Sequence, residues 1–139
     1  MSQGLLIKGV AHLGIRVLEL ARSRAFYEKL GFEFVVGPVG PEPVAIFSHP
    51  SGLELNLVLN AMGETTDNIL QDVPEKYAGY THVALAVSDL DAAVLHLSKV
   101  GLPIQSGPIN YPKGARGLFL RDPDRNTVEL YQHAPGKIG

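Results

Sequence analysis

The chain contains no cysteine and no tryptophan among its 139 residues. Without thiols there is no disulfide, no thiolate nucleophile and no Cys-ligated zinc. A small domain that does without disulfides suits a reducing compartment, so a cytoplasmic protein is expected. An excess of charge of one sign is also missing. Lys plus Arg is 12 against Asp plus Glu 14, a formal net charge of -2, which leaves no electrostatic footprint for nucleic acid or an anionic membrane. Aromatic residues are only 7% of the chain and form no obvious stacking platform. Apolar runs such as residues 83–87 fall far short of the roughly 18 residues a membrane span needs. The start, Met1-Ser2-Gln3-Gly4, lacks the basic region and apolar stretch of a signal peptide. What is present is ordinary for a folding domain: 45% hydrophobic and 19% charged residues, outside the disordered class. The length allows one domain, burying roughly two-thirds of its unfolded surface.

The informative feature is an internal repeat. Residues 10–32 align without a gap on residues 80–102 at an offset of 70, pairing His12 with His82, Val17 with Val87, Leu20 with Leu90, Lys29 with Lys99 and Gly31 with Gly101. Apolar character recurs at Leu13/Val83, Ile15/Leu85 and Leu30/Val100. Each copy reads as a short strand carrying the His, then a helix, then a Gly suited to a left-handed helix end. The second helix has Asp89 as its expected N-cap and Leu90, Ala93, Val94 and Leu97 as its apolar stripe. The first helix, over residues 20–30, shows Ala21, Ala25 and Leu30.

Three strand segments follow each helix. In the first half they are 32–36, 44–48 and 53–59, separated by a Gly-Pro stretch at 37–43 and a turn at 49–52. In the second half they are 102–105, 118–121 and 128–133, separated by a Gly-Pro-rich loop at 107–117 and the turn Asp122-Pro123-Asp124-Arg125. The expectation is an α+β fold: two tandem β-α-β-β-β modules, residues 5–60 and 80–134, joined by a linker at 61–79 in which Ile69, Leu70 and Val73 form a short helical turn. Neither module buries enough alone, so the sheets are expected to curve around a shared metal cleft, within one chain or between two chains of a dimer.

A lone strand His is commonly a half-buried polar residue satisfied by a hydrogen bond. Two at the same position of a repeat point to a paired site, and imidazole nitrogens suit Zn, Ni, Fe(II) or Mn. The last strand of each half offers a carboxylate, Glu129 and Glu54, each flanked by apolar residues and costly to bury ionised without a cation or partner. Two registers are open in the first half. Matching the Glu-Leu dipeptide selects Glu54; counting from Pro50 as from Pro123 selects Asn56. Both point to one strand face. With Asn56 in that position, His12, His82 and Glu129 remain, a two-His, one-carboxylate set of the kind found in Fe(II) oxygen chemistry.

The stretches Val10-Ala11-His12-Leu13-Gly14-Ile15-Arg16-Val17, Tyr80-Thr81-His82-Val83-Ala84-Leu85 and Leu120-Arg121-Asp122-Pro123-Asp124-Arg125-Asn126-Thr127-Val128-Glu129-Leu130 resemble the vicinal oxygen chelate superfamily. That group includes glyoxalase I, bleomycin-resistance proteins, fosfomycin-resistance enzymes, methylmalonyl-CoA epimerase and extradiol dioxygenases. The resemblance implies metal ligands at His12, His82, Glu129 and either Glu54 or Asn56, and a homodimer whose chains often complete each other's sites. It also implies a small oxygenated substrate and a Glu, Glu129 or Glu54, as the base. In glyoxalase I, a lactoylglutathione lyase, an Arg four residues after the first ligand binds a glutathione carboxylate, and Arg16 has that spacing. An Asn four residues beyond the first-half ligand belongs to the same set; Asn60 stands so from Asn56 and not from Glu54.

Glyoxalase or epimerase chemistry moves a proton beside a carbonyl while the metal holds the enediolate. The dioxygenase alternative uses three firm ligands and open positions. A metal-free binding protein of the bleomycin-resistance kind is the non-enzyme alternative, although such proteins typically lack the His/Glu set. Lys113, Arg116 and Tyr111 of the 107–117 loop are placed to close over an anionic substrate. Tyr131 and His133 share the Glu129 face, while Arg121 is expected to pair with Asp122 or Asp124.

Overall fold

The computed structural model describes residues 4–63 and 67–136, in two units, Met1–Met62 and Gly63–Gly139. In the first, β1 (Leu13–Arg16), α1 (Leu20–Lys29), β2 (Glu33–Val39), β3 (Val44–Ser48) and β4 (Glu54–Val58) form a four-stranded sheet of order β1-β4-β3-β2. Its β1 runs parallel to β4 and the remaining pairs are antiparallel. In the second unit, β5 (Val83–Ala86), α2 (Leu90–Val100), β6 (Ser106–Asn110), β7 (Arg116–Arg121) and β8 (Thr127–Gln132) repeat the plan in the order β5-β8-β7-β6. Here β5 is parallel to β8. The class is α+β with two β-α-β-β-β modules, as the repeat implies.

Strand alternation builds each core. In the first unit Ala45, Phe47, Leu55 and Leu57 are buried together with Ser23, Phe26 and Tyr27 of α1. In the second, Leu118, Leu120, Val128 and Leu130 are buried, as are Leu90 and Leu97 of α2. Each large side chain contributes about 1.5–3 kcal/mol of hydrophobic stabilisation. Asp89 caps α2 by accepting from the Ala92 amide at 3.1 Å, and Gly101 ends it in the left-handed conformation (φ 76, ψ 29), both as expected.

Several expectations are corrected. Helix α1 does not bury Ala21 and Ala25, which are exposed; its inner face is Ser23, Phe26 and Tyr27. Two edge-to-face aromatic contacts, Phe26 with Tyr27 and Tyr27 with Phe32, hide far more apolar area than two methyl groups. The Gly-Pro segments are loops only in part: residues 40–43 and 111–115 connect strands, while the Gly-Pro pairs themselves lie in strands. Strand β2 continues through Gly37-Pro38, and β6 replaces the strand expected at 102–105, running through Gly107-Pro108. Both are edge strands, where a proline's missing N–H costs no ladder bond. Glycine is required at both: a Cβ on Gly37 would lie 2.6 Å from the Ala45 Cα, and one on Gly107 would lie 3.0 Å from the Gly117 carbonyl oxygen. His12 and His82 stand immediately before β1 and β5 instead of inside them. In the linker, Gln71 and Asp72 amides donate to the Asn68 carbonyl, so a helical turn forms. However, Ile69 is exposed and polar residues make the contacts.

The register extends the repeat and shows where it breaks. Both Gly-Pro pairs keep the offset of 70, whereas the pairs Leu13–Leu55 and Val83–Val128 place β4 and β8 at an offset of 73. The step lies in the hairpins: four residues separate Val39 from its partner Val44, and seven separate Ile109 from its partner Gly117.

Candidate functional site

Alternation along β8 sends Val128 and Leu130 into the core and leaves Glu129 and Tyr131 on the opposite face. Glu129 pairs with Ala84 and Phe119, and Tyr131 with Ala86 and Gly117; the small neighbours leave room above the sheet. His82, just ahead of β5, places Nε2 3.1 Å from Glu129 Oε1. The Tyr111 hydroxyl donates to Glu129 Oε2 at 3.1 Å. Thr81 Oγ1 lies 2.9 Å from His82 Nδ1, fixing the ring through its other nitrogen. The Phe119 ring meets His82 edge-on at 5.6 Å, and Tyr131 contacts both Tyr111 and His133. The Glu129 side chain is only 7% exposed, a burial made tolerable because both oxygens have partners. Burial, together with the hydrogen bond to Glu129, raises the Tyr111 phenol above its ordinary value.

The linker braces this arrangement. Gln71 Nε2 donates to the Thr81 carbonyl at 2.7 Å while Gln71 Oε1 accepts from Thr127 Oγ1 at 2.9 Å. Beside it, Asp72 receives Arg125 Nε and Nη2 at 2.7 and 2.9 Å and Arg121 Nη1 at 3.1 Å. The Arg125 hydrogen bonds hold its carboxyl down at about 2. Arg121 therefore serves the linker and not Asp122 or Asp124.

In the first unit His12 Nδ1 lies 3.8 Å from Glu54 Oε2, and the two side chains are 49% and 45% exposed. Asn56 pairs with Gly14 and Ile46 as Glu129 pairs with Ala84 and Phe119, so Asn56 is the register counterpart of Glu129. Its Oδ1 is buried without a hydrogen-bond partner among the described residues. Arg16 Nε donates to Asn60 Oδ1 at 2.8 Å and its Nη2 reaches Glu42 at 3.3 Å.

The structure thus brings His82, Glu129 and Tyr131 to one face, His12 to Glu54, and Arg16 to Asn60. It does not bring Arg116 to Glu129. Arg116 shares a face with Leu118 and Leu120, and ion-pairs with Asp91 of α2 at 3.1 Å. Lys113 sits in the 3-10 turn Pro112–Gly114 with φ 69. Sequence reasoning missed Thr81, Gln71, Asp72 and Gly117. Adjacency to His82 was the only available signal for Thr81, and the others depend on pairings that the chain order does not display.

The family model described as the Glyoxalase/Bleomycin resistance protein/Dioxygenase superfamily matches residues 9–130. The chain belongs to this superfamily. Among relatives, it is 31% identical over 137 residues to the uncharacterized protein YwkD of Bacillus subtilis (strain 168), covering 92% of this chain and 99% of YwkD. The uncharacterized protein YaeR of Escherichia coli (strain K12) is 29% identical over 127 residues, covering 91% and 97%. A glyoxylase/bleomycin resistance protein/dioxygenase domain from Frankia sp. EAN1pec has a similar crystal structure, with a TM-score of 0.74 and 26% identity over 95% of this chain and 96% of that one.

The superfamily typically holds a divalent metal, and the donors here suit one. Two N/O ligands about 2.1 Å from a cation, at angles between a right angle and tetrahedral, lie about 3.0–3.4 Å apart; His82 Nε2 and Glu129 Oε1 are 3.1 Å apart. The wider His12–Glu54 separation and the orphaned Asn56 oxygen offer further donors of the same chemistry. Within either unit, the described residues gather no group of three or more His, Cys, Asp or Glu suited to a metal.

Proposed function

We propose that this glyoxalase-superfamily chain is a divalent-metal-dependent enzyme of the lyase or isomerase type that moves a proton beside a carbonyl of a small oxygenated substrate. Its proposed metal ligands are His12 and Glu54 of the first unit and His82 and Glu129 of the second. The observation that carries the reading is the His82–Glu129 pair, whose outer atoms are tied to Thr81 and Tyr111 so that the inner nitrogen and oxygen face each other. Bound Zn, Ni, Mn or Fe(II) supplies Lewis acidity toward substrate oxygen. Glu129 is the proposed base: its carboxylate accepts the proton from substrate carbon and returns it, its burial keeping water from competing. Glu54 is the corresponding carboxylate of the first unit, while Arg16, oriented by Asn60, and the Tyr131 ring bind substrate. Glutathione is the proposed co-substrate on the spacing of Arg16 from His12, four residues as in glyoxalase I. A homodimer in the cytoplasm is part of the proposal.

A second reading, an extradiol-type dioxygenase, is favoured by one observation. The neutral Asn56 occupies the counterpart of the Glu129 position, which leaves two His and one carboxylate if Glu54 is not a ligand.

The test loads purified protein separately with Ni, Zn, Mn and Fe(II), and assays it with methylglyoxal plus glutathione and with catechols. Tight metal binding abolished by His82→Ala and by Glu129→Ala is expected, with turnover of the first substrate pair. Tight binding unaffected by both substitutions removes the foundation of the proposal. Ring cleavage with Fe(II) selects the dioxygenase reading, and metal-independent ligand binding without turnover selects a binding protein.

A further inference from the structure

We propose that Tyr111 is a positioning residue for Glu129, and that Gly117 is the residue that lets it act. The inference rests on the reading of Glu129 as a metal ligand and goes beyond it by assigning how the carboxylate is aimed. A free carboxylate offers two equivalent oxygens. Here they are not equivalent: Oε2 receives the Tyr111 hydroxyl, and Oε1 alone faces His82 Nε2. The phenol therefore restricts Glu129 to single-oxygen ligation and fixes which oxygen is presented.

Further observations support this assignment. Tyr111 lies in the hairpin that is three residues longer than its counterpart in the first unit. Within that hairpin the Tyr111 amide donates to the Ala115 carbonyl at 2.8 Å, and its ring lies 6.1 Å from that of Tyr131. The floor beneath the contact is Gly117, where a Cβ would lie 2.5 Å from Glu129 Oε2 and 3.0 Å from Tyr111 Cε2. A side chain at 117 would evict either the carboxylate oxygen or the phenol ring. In the first unit the same register position is Val44, and Asn56 has no hydroxyl partner there.

The experiment uses the full chain and two readouts. In metal-free protein, the ¹³Cδ resonance of Glu129 reports the hydrogen bond directly; Tyr111→Phe, which keeps the ring, is expected to move it. In Co(II)-loaded protein, Tyr111→Phe is expected to weaken Co(II) binding about tenfold, the scale typical for loss of a ligand's outer partner, and to alter the visible cobalt band as the second oxygen becomes free to coordinate. Gly117→Ala should reproduce both changes, and if it does not fold, Tyr111→Phe decides alone. An unchanged Glu129 resonance with wild-type Co(II) affinity and spectrum in Tyr111→Phe overturns the inference while leaving the metal site standing. Co(II) binding by wild type that is indifferent to Glu129→Gln overturns the metal reading instead, and the resonance in metal-free protein still decides whether Tyr111 aims Glu129.

Discussion

The two units share a strand order and a helix but treat their His and carboxylate differently. In the second, Glu129 is nearly inaccessible and each of its oxygens is engaged. In the first, Glu54 is about half exposed and stands farther from its histidine, while the register counterpart of Glu129 is a neutral amide with an unsatisfied oxygen. The difference teaches that a repeated frame fixes where side chains emerge and leaves their energetics to the neighbours. Gly117 makes space at the second site where Val44 fills the equivalent place in the first, and Ala86 stands where the first unit has Arg16. The first unit instead carries a polar trio, Arg16, Asn60 and Glu42, which suits recognition more than proton transfer.

The widest expected gap between the units is in metal affinity. Glu129→Gln should weaken binding at least about 100-fold, beyond what outer partners contribute, and Glu54→Gln by less, as measured by calorimetric titration; equal losses would erase the contrast. Next comes stability. Among the described residues only the second unit has a linker latch, and Asp72→Asn is expected to cost about 2–3 kcal/mol at pH 7 in a denaturant titration. The Asp72 pKa is lowered in the folded chain, from 3.8 to about 2, so its contribution is fully present above the unfolded value and is lost as pH falls through about 2. The penalty of Asp72→Asn should accordingly shrink between pH 5 and pH 2, and a penalty independent of pH would show that packing and not charge holds the linker. The smallest effect is at the helix starts. Asp89 caps α2 through its side chain, while Glu19, at the start of α1, makes no such bond among the described residues. Asp89→Ala should cost about 1 kcal/mol and Glu19→Ala close to nothing, read as shifts in the unfolding midpoint.

Much of this was legible beforehand because it is written at constant spacing. The paired histidines, the helix-ending glycines and the α+β class follow from the offset of 70, and the Asp89 cap from its residue type at a helix start. Legibility stops where the offset changes to 73. The choice between Glu54 and Asn56 turned on that step, which the spacing of Pro50 and Pro123 already carries and which strand pairing bears out for the register: Asn56 holds the register of Glu129, and Glu54 holds the neighbourhood of His12. Proline and glycine misled in the opposite direction. They normally interrupt strands, and here they mark edge strands that need no donor on one side. The inner face of α1 was missed because Ala21 and Ala25 imitate an apolar stripe, while Phe26 and Tyr27 bury more surface. Asp72 and Tyr111 were out of reach of periodicity, since their partners lie 53 and 18 residues away.

The longer hairpin of the second unit has an energetic meaning. Two of the three added residues are taken up by the further pair Asn110–Arg116, so five unpaired residues are closed instead of four, at about 0.2 kcal/mol of chain entropy, less than a typical net hydrogen bond returns. A surface turn is thus the least expensive place in this fold to add a group that reaches the interior of a sheet's open face. The same economy makes residues 110–116 a transplantable cassette: set between β2 and β3 of the first unit, over a glycine at position 44, they would carry a phenol toward position 56 without disturbing either core.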